Sequence, residues 1–107
     1  MDNIIQSELD TLKEIIIRTV HVEQIWLFGS YAYGIPHKYS DIDLYVVLKD
    51  EIQMRMIDVA IAIRLAIGRK KIMPVGIVTN TLGKYSEHSQ FPTLERTFSR
   101  QGVKIYG

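Results

Sequence analysis

Asp41 and Asp43 stand two positions apart at the head of an apolar run, and Gly29-Ser30 precedes them by ten intervening residues. Along a β-strand, side chains two apart point to the same side, with Cα atoms roughly 6–7 Å apart. Both carboxylates can then aim at one place while Ile42, Leu44 and Val46 face the other way. Two such anions repel each other unless a cation joins them. A hard divalent cation removes the repulsion, and Mg²⁺ prefers one or two carboxylates together with waters and substrate phosphates. Gly29-Ser30 supplies the complement. A glycine without a Cβ lets a phosphate approach the backbone, amides at a helix start attract anions, and a serine hydroxyl adds a donor. The pattern points to a metal–nucleotide site, with Gly29 and Ser30 on a phosphate and Asp41 and Asp43 on the metal that bridges the phosphates.

Two strands must position these groups. Glu23 to Phe28 ends in the apolar run Ile25-Trp26-Leu27-Phe28 and reads as a buried strand. Gly29-Ser30 breaks it and opens Tyr31-Ala32-Tyr33-Gly34, read as a short helix packed on the sheet, with a second reading in which one tyrosine borders the nucleotide. A polar loop from Pro36 to Ser40 follows, then the second strand from Asp41 to Lys49. His37 and Lys38 lie on that loop. Lys38 is either a solvated loop residue or a point charge on the triphosphate, and it joins Gly29 and Ser30 as a candidate nucleotide ligand.

The remaining elements build the support. Ile5, Leu9, Leu12 and Ile16 recur at three- and four-residue steps, which predicts an amphipathic helix over Asn3 to about Val20, with Glu8, Lys13 and Arg18 among its other residues. Asp50 is placed to cap a helix from Ile52 to about Ile67, and Gly68 stops it. Its apolar face is read as Met54, Ile57, Ile61 and Leu65. Arg69-Lys70-Lys71 forms a basic turn. Ile72 to Thr79 reads as a third strand, with Pro74 marking its start or an edge. Thr79 to Gly83 is expected as a turn, Lys84 to Gln90 as a short helix, and Pro92 to Gln101 as a final helix stopped by Gly102. Val103 to Tyr106 closes the chain as a short strand. Trp26 reads as core.

Composition narrows the function classes. The chain of 107 residues suits one domain, 1–107, with a feasible core. It has no cysteine, which excludes disulfides, thiol catalysis and a cysteine-bound zinc site. Thirteen basic against twelve acidic residues give a net charge of +1, which argues against a general nucleic-acid binder or an anionic-membrane binder. No signal peptide and no membrane span are read, so a cytoplasmic protein is the expectation.

The Gly-Ser motif, the run Ser40-Asp41-Ile42-Asp43-Leu44, the helix and strand after it and the closing Gly102-x-x-x-Tyr106 resemble the minimal nucleotidyltransferases of the polymerase-beta-type superfamily. The resemblance covers nearly the whole chain. It implies an α/β (α+β) fold, a small mixed sheet with helices on one main face. It also implies transfer of a nucleoside monophosphate from a nucleoside triphosphate, with ATP the expected donor, by Asp41 and Asp43 with Mg²⁺ or Mn²⁺. A further implication is an antitoxin role beside a helical HEPN-type toxin, some such relatives adenylylating a tyrosine of the toxin.

One position departs from the resembling pattern. A third carboxylate commonly sits on the strand after the long helix, and here Met73-Pro74-Val75-Gly76-Ile77 places Gly76 at that point. Three readings stay open. The protein still transfers nucleotides to an acceptor that needs little base help, such as a phenol of pKa ~10. Alternatively it binds nucleotide or partner without turnover and acts by occlusion. In the third, Gly76 makes room for a group supplied by a partner.

Overall fold

A computed structural model describes residues 3–34, 36 and 40–107. In chain order the elements are α1 (Asn3–Thr19), β1 (Val22–Phe28), β2 (Ile42–Leu48), α2 (Met56–Ile67), β3 (Val75–Thr81), α3 (Leu82–His88), α4 (Leu94–Gln101) and β4 (Val103–Tyr106). The strands form one sheet in the order β3-β2-β1-β4. β1 pairs antiparallel with β2 and β4, and β2 pairs parallel with β3. The mixed α/β architecture expected from the sequence is therefore present. β2 is interior and nearly all buried, as its continuous apolar run requires.

Period-two alternation divides the sheet. Ile25, Leu27, Leu44, Val46 and Leu48 meet α1 and α2 through Leu9, Leu12, Ile16, Val59 and Ile63. Trp26, Phe28, Tyr45 and Val47 meet α3 and α4 on the other face, through Tyr85 and Phe98. The two longer helices thus cover one face, and the two short ones cover part of the other.

The helix α1 buries the predicted stripe of Ile5, Leu9, Leu12 and Ile16, and also Glu8. The Glu8 carboxylate accepts hydrogen bonds from the backbone N–H groups of Ile72 and Met73, at 2.6 and 3.3 Å. Those amides belong to the turn before β3. A buried anion satisfied by two amides is tolerable where a lone one is not.

Four expectations are corrected. The long helix starts at Met56 and not at Ile52, with Arg55 at its N-cap and no side-chain cap. Asp50 instead accepts from the Gly83 N–H at 2.9 Å, in the first turn of α3. The expected turn over Thr79 to Gly83 is absent, because β3 runs to Thr81, whose hydroxyl caps α3 directly by accepting from the Lys84 N–H. The buried face of α2 also differs from the expected one. Val59, Ile63 and Ile67 point inward, while Ile57, Ile61 and Leu65 are 63, 49 and 77% exposed. Met54 is exposed as well. The helix is apolar almost all round, so periodicity offered two stripes and tertiary packing chose the other one.

The outward stripe is an apolar ridge that no element among the described residues covers. Leu65→Glu should change the unfolding free energy by less than ~0.5 kcal/mol, because the side chain has little packing to lose. A thermal melt losing more than a few degrees would show that the ridge is packed.

On the opposite face, the Glu95 carboxylate accepts from the Tyr45 hydroxyl at 3.1 Å and lies 2.9 Å from His88 Nδ1. Burial alone would raise the Glu95 pKa, but hydrogen bonds from His88, its own backbone and Tyr45 outweigh it and hold the value below the usual 4.5. Burial pushes the Tyr45 phenol up. Between the lowered folded value of Glu95 and 4.5, the unfolded chain binds more protons than the folded one. The stability this group confers is therefore present above pH 4.5 and is lost as pH falls through its folded pKa. Melting temperature against pH should show that acid limb, and Glu95→Gln should flatten it.

Candidate functional site

The site is assembled where β1 ends and β2 begins. Phe28, the last residue of β1, pairs with Asp43. The chain then turns at Gly29, whose φ of +76° is left-handed and suits a residue without a Cβ. The amides of Ala32 and Tyr33 both donate to the Gly29 carbonyl, at 3.1 and 3.0 Å. The segment after Gly29-Ser30 is therefore a turn and not the expected short helix, and two of its amides are occupied internally.

On its other side β2 pairs with β3, and the partner of Asp43 there is Gly76. Asp43 thus has a glycine on each flank. A Cβ built on Gly76 would lie 2.9 Å from Asp43 Oδ1, and one built on Gly29 would fall on Oδ2. The carboxylate fills a slot whose two walls are bare backbone.

Asp41 precedes β2 and is exposed, whereas Asp43 is half-buried. Burial, and then the charge of Asp41, raise the Asp43 pKa above the ordinary 3.8. The repulsion expected from the sequence thus acts between these two groups. Among the described residues no cluster of three or more His, Cys, Asp or Glu side chains gathers anywhere. Gly76 stands at the position where the resemblance places a third carboxylate, and the register sets it directly beside Asp43.

The structure brings Gly29, Asp43 and Gly76 together, with Ser30 next in the turn and Asp41 close enough to act on Asp43. Lys38, with its neighbour His37, lies outside the described residues. Sequence reasoning missed the support under the site. Phe28 stacks on Phe98 of α4 at 5.8 Å between ring centres, and Trp26, Tyr45 and Tyr85 complete the aromatic cluster. Aromatic residues on alternate positions of β1, Trp26 and Phe28, were the available signal for a second packed face.

A sequence profile described as polymerase beta, nucleotidyltransferase matches residues 10–95. No curated protein sequence matches the chain. Among solved structures, one of a toxin-antitoxin with AMP-PNP superimposes with a TM-score of 0.59 at 22% identity, over 92% of this chain and 72% of the other. A protein from Sulfolobus solfataricus, provisionally assigned as a nucleotidyltransferase, superimposes with a TM-score of 0.56 at 21% identity, over 98% of this chain and 87% of the other. These two likenesses concern the fold. No helix among the described residues is long and apolar enough to cross a membrane.

Proposed function

The chain belongs to the polymerase beta nucleotidyltransferase family, and on that premise we propose that it moves a nucleoside monophosphate from ATP to a hydroxyl of a protein partner. The observation that supports the reading most is the slot at Asp43, where the Gly29 turn and the acid meet. The donor set suits a divalent cation. Two carboxylates that repel each other, with bare backbone around one of them, match the preference of Mg²⁺ or Mn²⁺ for few protein oxygens plus waters and phosphates. Asp41 and Asp43 would hold it, and it would supply charge neutralisation for the triphosphate and activation of the acceptor oxygen.

The residues of the chain then have separate tasks. The backbone at Gly29 admits a phosphate that a side chain would exclude, and the Ser30 hydroxyl donates to it. Lys38 is proposed as a point charge on the triphosphate. The acceptor oxygen attacks the α-phosphorus, the bond to the bridging oxygen breaks, and pyrophosphate leaves with the electron pair. Position 76 carries no carboxylate, so the acceptor proton passes to water. An acidic hydroxyl such as a tyrosine phenol, pKa ~10, is best suited.

The partner is proposed to be a helical HEPN-type toxin, which makes this chain an antitoxin acting in the cytoplasm. The fold shared with a toxin-antitoxin structure holding AMP-PNP, an ATP analogue, supports the nucleotide and the pairing. The test is incubation with α-labelled ATP, Mg²⁺ and the product of the adjacent gene. Label on the partner, absent with Asp41→Ala, is the expected result. A second reading is occlusion without turnover, favoured by Gly76 and by the exposed ridge of Ile57, Ile61 and Leu65. Stable binding to the partner with no label in either protein would decide for it.

A further inference from the structure

We infer that the free edge of β3 and the exposed ridge of α2 form one interface for a second copy of this chain, packed across a two-fold axis. β3 is the outermost strand on its side of the sheet, and nothing among the described residues pairs with its outer edge. The inner edge belongs to β2: Ile42 donates to the Pro74 carbonyl, and the register runs on from Ile42 and Val75 without interruption. Strand groups alternate in direction, so Gly76, Val78 and Asn80 bond toward β2 while the N–H and C=O groups of Val75, Ile77 and Thr79 point outward. The Thr81 N–H agrees with that alternation, since the Asn80 side chain holds it and β2 does not. Native edge strands are blunted by charged residues, prolines or bulges. β3 has seven residues, none of them charged, no internal proline and an unbroken register. Such an edge is a template for another strand.

The ridge stands on the same side. The Thr79 hydroxyl donates to the Met56 carbonyl at 2.8 Å, so α2 starts beside the end of β3. Arg64 and Ile67 line an open cleft of about 230 Å³ together with Pro74, Val75 and Ile77. The helix therefore runs back along β3 with its Arg64 flank toward the free edge. Ile57 and Ile61 precede Arg64 by seven and three residues and share that flank. A lone peptide strand would satisfy the edge and leave the ridge bare, and a lone helix would do the reverse. A second copy does both, because the two-fold that pairs β3 with itself antiparallel about Ile77 also lays α2 against its symmetry mate. The seam is ~23 Å long and about 20 Å deep through sheet and helix. It covers on the order of 900 Å² over both copies, the size of a weak dimer. A net charge of +1 on each copy opposes that association little. The consequence reaches the site. Pairing about Ile77 sets Gly76 opposite Val78 of the second copy, on the face that carries Asp43 and Tyr45. The exposed Val78 side chain then walls the open side of the slot at Asp43. A ridge occupied in this way is withdrawn from the occlusion reading.

This dimer stands or falls independently of the transferase reading. The test is sedimentation velocity of the full chain from ~1 to ~500 µM, with amide hydrogen exchange measured at both ends of that range. A monomer–dimer equilibrium with a dissociation constant on the order of 10–100 µM is expected. The Ile77 and Thr79 amides should exchange fast in the dilute sample and about 3- to 10-fold more slowly in the concentrated one. The Gly76 and Val78 amides, bonded to β2, should be protected in both. Ile61→Glu buries two like charges beside the axis and should weaken the dimer at least ~10-fold. Leu65→Glu, at a more exposed position, should act in the same direction. Both variants should melt like wild type in dilute samples, where the chain is a monomer and the ridge faces water. A chain that stays monomeric throughout, a dimer indifferent to both variants, or Ile77 and Thr79 amides that exchange alike at the two concentrations overturns the inference. Protection of those amides only when the product of the adjacent gene is added overturns it too, and assigns the edge to that partner.

Discussion

Asp43→Asn should cut nucleotide transfer by about 10- to 100-fold or more, while leaving the fold as stable as before or more so. The two halves of that expectation have one origin. Burial and the charge of Asp41 both penalise the ionised Asp43 carboxylate, and its pKa is raised in the folded chain. The folded state thus holds that proton more tightly than the unfolded state does, so ionised Asp43 costs stability at neutral pH. Asparagine has the same shape and removes the charge, hence the cost. It would also remove half of the proposed anionic donor set. Loss of a group that merely supports a metal ligand costs about 10–100-fold, and loss of the ligand itself should cost no less. Label transfer and melting temperature at pH 7, measured on one preparation, check both. A destabilised variant with normal transfer would mean that Asp43 is a structural residue.

Phe98→Ala should be the most destabilising single truncation outside the main core. Phe98 is fully buried and touches Trp26, Phe28, Tyr45 and Tyr85, with ring centres 4.5 to 5.8 Å apart. Truncating a buried phenylalanine costs about 3–5 kcal/mol, and for a chain of this size that corresponds to a melting shift on the order of 15–30 °C. Total stabilities are only about 5–15 kcal/mol, so the variant should be marginal near body temperature. The effect should reach the site, because Phe98 supports Phe28, which pairs with Asp43 and leads into Gly29. Phe98→Leu keeps an apolar side chain and should lose much less. A shift under 5 °C for Phe98→Ala would contradict the assignment of a second core beneath α4.

The strands and the acids were legible because each rests on a local rule. Alternation placed Ile42, Leu44 and Val46 on one side, and the glycine-serine break fixed where β1 ends. The sequence also placed Gly76 at the position that register then put beside Asp43. What stayed hidden depended on partners distant in the chain. Glu8 reads as a surface acid until Ile72 and Met73 bring it their amides. Asp50 has the local chemistry of a helix cap, but the Gly83 N–H, thirty-three residues on, was the donor it met. The stripe of α2 could not be chosen from a helix apolar on nearly all sides. In each case the deciding contact is tertiary, and neither composition nor spacing carries it.

In the proposed function, Asp41, Asp43 and the Gly29 turn meet around one cation carrying a nucleotide. A crystal structure with Mn²⁺ and AMP-PNP tests it most directly, since the anomalous signal locates the metal independently of the protein. One Mn²⁺ bound by Asp41 and Asp43, with the phosphates against Gly29 and Ser30, is the expected result. Nucleotide bound elsewhere, or a metal that ignores both aspartates, would contradict it.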